Sequence, residues 1–94
     1  MTETIIFSHV QERDGYQTQA IAPDTSGNIA VQINYDDTSC HYVLIEITLD
    51  GTHYSHLADM QIKGSQTFHV TDLLPGERIR IFSRENCKDA YVLH

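Results

Sequence analysis

The stretch IAVQINYDDTSCHYVLIEITLDG, residues 29–51, decides the fold. Ile29, Val31, Ile33 and Tyr35 alternate with Ala30, Gln32 and Asn34. After a turn-rich interval, Val43, Ile45, Ile47 and Leu49 alternate with Leu44, Glu46 and Thr48. Side chains that change face at every residue separate an apolar from a polar side only on an extended chain, so both runs are strands. Asp50-Gly51 follows the second run, and Asp-Gly between β-prone runs is a strong hairpin signal. The expected hairpin sets Leu49 opposite Thr52, Thr48 opposite His53, Ile47 opposite Tyr54 and Ile45 opposite His56.

Working outward, shorter alternating runs occupy residues 4–10, 16–22, 60–63, 67–70, 79–83 and 90–94. Between them lie DG, APDTSGN, DDTSC, KGS, LLPGE and RENCKD, all rich in turn formers. No window of about twelve residues combines an apolar 3.6 period with caps, so helix is nearly absent. The pattern predicts an all-β chain: an antiparallel β-sandwich, jelly-roll-like, of eight or nine short strands. Its 94 residues form a single domain over 1–94. A chain of this size buries only about 60–65% of its unfolded surface, enough for one modest core. Strand parity assigns that core to Ile6, Ile29, Val31, Ile33, Val43, Ile45, Ile47, Tyr54, Phe68, Val70, Ile79, Ile81 and Val92.

Thirteen acidic against six basic residues give a formal net charge of -7. Phosphate backbones require a basic stripe, so nucleic acid is excluded as a partner, and anionic membrane surfaces are disfavoured for the same reason. No run approaches the roughly 18 apolar residues of a spanning helix, which argues against direct membrane insertion. The N-terminus has no basic segment, long apolar run or small-residue cleavage site. The expected localisation is cytoplasmic in the producing cell and extracellular after release without a classical signal peptide.

The search for chemistry turns up little. His53 and His56, three apart on a strand, point to opposite faces, one outward and one half-buried, and so cannot chelate one ion unless a bulge intervenes. Asp24, Asp36 and Asp37 lie in turns that lack the alternating ligands of a calcium loop. No nucleophile elbow or cysteine motif places a Ser or Cys for attack, so the chain reads as a non-enzyme with no metal and no cofactor. Cys40 and Cys87 allow one pairing, and free thiols or a disulfide fit equally. A bridge would close a loop of about 47 residues and contribute on the order of 4 kcal/mol. What remains is surface. Outward positions on the later strands and the hairpin include Thr67, His69, Arg78, Arg80 and His53, with Thr48 and Phe82 beside them. Arg, His and aromatic groups on a strand face suit a protein partner or sugar hydroxyls; the competing reading is a solvated face whose charges prevent edge aggregation.

Several segments carry a resemblance: Gly27 with the strand after it, Thr67-Phe68-His69-Val70, Arg78-Ile79, and the ending from Cys87 to His94, in which a Cys precedes a Tyr-containing strand that stops at a terminal His. Across about two thirds of the chain this resembles the small PirA subunit of the PirAB binary insecticidal toxins. The resemblance implies a jelly-roll like the carbohydrate-binding domain of the crystal toxins. The protein would be the receptor- or glycan-binding component of a two-part pore-forming toxin, with a larger pore-forming subunit as partner. Arg78 and Arg80 would then lie on the recognition face. The alternative function is a stand-alone acidic binding module, such as an enzyme inhibitor or immunity factor.

Overall fold

The alternating runs that begin at Ile29 and Val43 become strands of different sheets. The computed structural model describes residues 2–94. It contains β1 (Thr2–Thr4), β2 (Ser8–Val10), β3 (Gly15–Gln17), β4 (Ile29–Asn34), β5 (Cys40–Thr48), β6 (Ser55–Lys63), β7 (Ser65–Val70), β8 (Arg78–Ser83) and β9 (Asp89–Leu93). One 3₁₀ turn, Gln11–Arg13, lies between β2 and β3. The strands form a four-stranded sheet, β1-β9-β4-β7, and a five-stranded sheet, β2-β3-β8-β5-β6, both antiparallel. The chain changes sheet at every connection except the β2–β3 and β5–β6 hairpins. This is a jelly-roll β-sandwich of nine strands, as the sequence predicts.

The inner faces meet in one core. Ile33, Val43, Ile62, Ile79, Ile81 and Ala90 are fully buried, with Ile29, Val31, Ile45 and Val92 nearly so. Two expected core positions are corrected. Ile6 is 74% exposed, because the expected strand over 4–10 breaks at residues 5–7, where the chain passes from one sheet to the other, and Phe7 turns inward instead. Tyr54 is displaced by the hairpin. The Asp50 carboxylate accepts hydrogen bonds from the Thr52 and His53 amides, both at 2.8 Å, and from Thr48 Oγ1 at 3.2 Å. Gly51, at φ +82°, turns the chain. This self-capped turn is wider than a two-residue hairpin, so Ile47 pairs with Ser55 and Glu46 with His56; Leu57 then bulges and Ile45 pairs with Ala58. A slip of one residue exchanges faces. Tyr54 therefore leaves the core for the outer side.

Crossovers supply core residues that period-two reading does not reach. The expected strand over 16–22 ends at Gln17, but Ile21 exchanges backbone hydrogen bonds with Ile79 at 2.7 and 3.0 Å and is buried. Leu73, in the connection from β7 to β8, is buried against the loop at Gly27, whose carbonyl accepts from the Leu73 amide at 3.0 Å. Gly27 has φ +81°, and a Cβ there would lie 2.4 Å from the Leu73 carbonyl oxygen. Only glycine fits that contact.

Ile45→Ala should cost about 2–5 kcal/mol in denaturant unfolding, since Ile45 is 2% exposed. Ile6→Ala should change stability by less than about 0.5 kcal/mol. Equal losses at the two positions would contradict this layering.

Candidate recognition site on the five-stranded sheet

Parity along β8 sends Ile79 and Ile81 inward and Arg78 and Arg80 to the outer face. Across the β5–β8 pair, Arg80 faces Glu46 and Arg78 faces Thr48. Arg80 Nε donates to Glu46 Oε1 at 2.9 Å, and Arg13 Nη1 donates to the same oxygen at 2.8 Å. Arg13 Nη2 reaches Glu46 Oε2 at 3.3 Å, and Nη1 also donates to Gln17 Oε1 at 3.0 Å. Each guanidinium lies on an aromatic ring, Arg13 over Phe82 at 4.2 Å and Arg80 over Tyr54 at 3.7 Å from the centroid. The Glu46 side chain is only 12% exposed. Arg80 is therefore a structural group as well as a surface one, and it is not the freely solvated charge that strand parity alone suggests.

Local sequence places each of these groups. Arg13 closes the 3₁₀ turn, and Asp14 after it adopts φ 52°, reversing the chain into β3. Gly15 then lies beneath the Phe82 ring, where a Cβ would come within 2.3 Å of it. That missing side chain lets Phe82, outward by parity, lie down and be covered by Arg13; it is 6% exposed. Burial pushes the Glu46 carboxyl up, but the hydrogen bonds from Arg13 and Arg80 outweigh it and hold the group below its ordinary 4.5.

Beside this cluster is an open hollow of about 450 Å³. Arg80 and Tyr54 form one part of its wall, with Thr52, Ser8, Gln17 and Gln19 around them. Among the described residues, the two Nη atoms of Arg80 have no hydrogen-bond partner in the protein, because its bond to Glu46 runs through Nε. Arg78 lies at the rim: its Nη2 donates to the Leu49 carbonyl at 3.2 Å and its guanidinium packs beside Gly51.

The other expected site residues separate. Thr67 and His69, on β7, face outward from the four-stranded sheet, opposite Gln32 and Ala30 of β4. They lie on the far side of the sandwich and do not join Arg78 and Arg80. His53 stays in the β5–β6 loop, with Nδ1 2.8 Å from Asp50 Oδ2. His56, expected to be half-buried if His53 faces out, is exposed as well, and its Nε2 meets Asp59 Oδ2 at 2.9 Å. Each imidazole thus has its own carboxylate. Sequence reasoning passed over Arg13, Gln17, Glu46 and Tyr54. The available signal was Glu46 itself, one acid among the outward positions of an otherwise apolar strand, but it gains meaning only once β8 is known to pair with β5.

A second polar cluster sits at the opposite end of the sandwich. His41 is buried, stacked on Tyr35 at 3.9 Å, with Nε2 2.7 Å from Asp37 and Nδ1 3.0 Å from Glu85. The bond to His41 holds the Asp37 carboxyl below its ordinary range. This histidine has both ring nitrogens taken up by these carboxylate contacts. It pins two loops. Cys40 and Cys87 are free thiols, so the disulfide alternative is not the one adopted. Burial raises the Cys87 thiol and keeps it from the reactive thiolate form.

Comparison with known protein families, with characterised proteins and with solved structures finds no match to this chain.

Glu46→Gln leaves two guanidinium groups side by side with no anion between them and should cost about 2 kcal/mol. Because folding lowers the Glu46 pKa, its contribution is fully present above about 4.5 and is lost as pH falls through the folded-state value. Urea midpoints measured from pH 7 down to 3 should drop below about pH 4.5 in the native chain, and less steeply in Glu46→Gln. Parallel curves would remove Glu46 from the account.

Proposed function

We propose that the protein is a non-catalytic recognition module, the receptor- or glycan-binding component that works beside a larger pore-forming subunit. Its binding site is the hollow around Arg80. The observation that carries this reading is a guanidinium held rigid by Glu46 and Tyr54 at the wall of a concavity whose remaining polar side chains are neutral hydroxyl and amide groups, with Val10 and Ala20 among them. Side-chain amides and hydroxyls donate and accept at once, which matches the paired donor and acceptor character of sugar hydroxyls. An aromatic ring and a fixed charged group set the orientation of a bound ring in such sites. The volume of about 450 Å³ lies within the range of small-ligand pockets. The two-part toxin setting follows from the resemblance of the later strands and the C-terminal segment to the small PirA subunit, and the jelly-roll topology is compatible with it.

The test is a glycan array probed with the full chain, followed by titration of the best ligand against Gln19→Ala and Thr52→Val. Both side chains line the hollow and are exposed, so stability should hold. Affinity should fall roughly tenfold for each, about 1.4 kcal/mol. An array with no bound glycan, or a ligand indifferent to both substitutions, would sink the proposal.

A further inference from the structure

The Arg80 hollow has an unbalanced charge. Two guanidinium groups share the single carboxylate of Glu46, so the cluster carries a surplus of one positive charge inside a chain of formal net charge -7. Among the described residues no Asp or Glu lines the hollow, although the chain has thirteen. The Asp50 carboxylate beside Thr52 is taken up by the Thr52 and His53 amides and the His53 ring and forms no ion pair with Arg80, so the surplus is left unpaired.

The geometry narrows what could supply one. A guanidinium carries five N–H donors in a rigid planar fork. Arg80 directs its Nε–H to Glu46 and leaves both Nη groups without protein partners, so the end of the fork is free. Its plane is fixed from below by the Tyr54 ring at 3.7 Å. A planar monoanion with two oxygens meets that end with two parallel hydrogen bonds and cancels a single charge. Gln17 fits this arrangement, because its Oε1 accepts from Arg13 and its amide donors remain for the ligand. Thr52, Ser8 and Gln19 then face the rest of the molecule.

Resting on the reading of the hollow as a glycan site, we propose that its ligand is a carboxylated sugar, with the carboxylate paired end-on to the Nη groups of Arg80 and the ring hydroxyls facing Thr52, Ser8 and Gln19. Neutral sugars bind the same hollow weakly. The ligand class is thus set by Arg80, and hydroxyl pattern is read by the neutral rim.

The experiment is an NMR titration of the isotope-labelled full chain with glucuronate, N-acetylneuraminate, glucose and glucose 6-sulfate. At least one of the two carboxylated sugars should shift the Thr52 and Gln19 amides and the Arg80 Nε–H, and bind at least tenfold more tightly than glucose. Arg80→Lys keeps a positive charge for Glu46 but loses the fork, and should abolish that preference in a chain that remains folded by its spectrum. Thr52→Glu, which places an acid at the exposed rim without touching Arg80, should weaken the carboxylated sugar tenfold or more; it also serves if Arg80→Lys does not fold. Equal binding of glucose and both carboxylated sugars, with shifts confined to the hollow, would overturn the carboxylate assignment and leave the glycan site standing. Equal binding of glucose 6-sulfate would overturn the planar-fork argument. Shifts that map elsewhere would overturn both readings.

Discussion

One carboxylate shared by two guanidinium groups organises the outer side of the five-stranded sheet. Glu46 belongs to β5, Arg80 to β8 and Arg13 to the turn before β3, so their bonds tie three neighbouring parts of the sheet across its exposed face. A chain of 94 residues has little apolar surface to bury, and a single layer between two sheets leaves the outer faces to water. Here the outer face gains a second packed layer. Arginine stems and planes cover Phe82 and Tyr54, and each stacking contributes about 0.5–2 kcal/mol according to how dry it is. Gly15 and the widened Asp50 turn are the local features that admit these two rings.

That layer also distributes charge. Arg13, Arg78, Arg80, Arg84 and Lys63 lie by register or contact on the outer side of the five-stranded sheet, five of the chain's six cations. The outer face of the four-stranded sheet is mostly uncharged, with Thr4, Tyr91, Gln32 and Thr67 forming one row across it and Thr2, Leu93, Ala30 and His69 the next. The two sides of the sandwich are therefore chemically unlike, although strand parity describes both as polar.

Parity explains what was legible in the sequence and what was not. Residues 29–34 and 43–46 read correctly because they lie in the middle of their sheets, where one side chain in two must meet the opposite layer, whereas Thr48, expected to face outward, is buried under the turn, its Oγ1 accepting from the Gly51 amide at 2.9 Å. Residues 5–7 and 18–22 did not, because a chain that crosses between sheets breaks its alternation, and the turn expected at 73–77 is present but buries Leu73. Ile6 and Phe7 exchange roles there, and Ile21 and Leu73 are buried from irregular backbone. The site suffered a different failure. Thr67 and His69 on β7 and Arg78 and Arg80 on β8 are close in sequence and outward by the same rule, but the β7–β8 connection crosses the sandwich and sets the two pairs on opposite sides. Period two tells which way a residue points and not which sheet carries it. The Asp50-Gly51 signal located a hairpin correctly and misjudged its width, since the Asp50 carboxylate reorganises the turn through its own hydrogen bonds.

The net charge of -7 is at odds with an anion site only if charge is treated as a sum. At physiological ionic strength the Debye length is about 8 Å, so acids in distant loops are screened from a ligand seated on the sheet, while a partly buried pair is screened much less. What such a ligand meets is the local set: two guanidinium groups with one carboxylate already between them, Arg78 at the rim, and Asp50 with its carboxylate already taken up by the Thr52 and His53 amides. The distant acids act instead on the approach, slowing association of anions from solution and opposing self-association of the protein. An acidic chain can therefore keep a cationic site, provided the acids near it are already engaged and its guanidinium groups are anchored. Glu46 does the anchoring here, because without it two adjacent cations on β8 and the 3₁₀ turn would repel each other away from the rings that hold them.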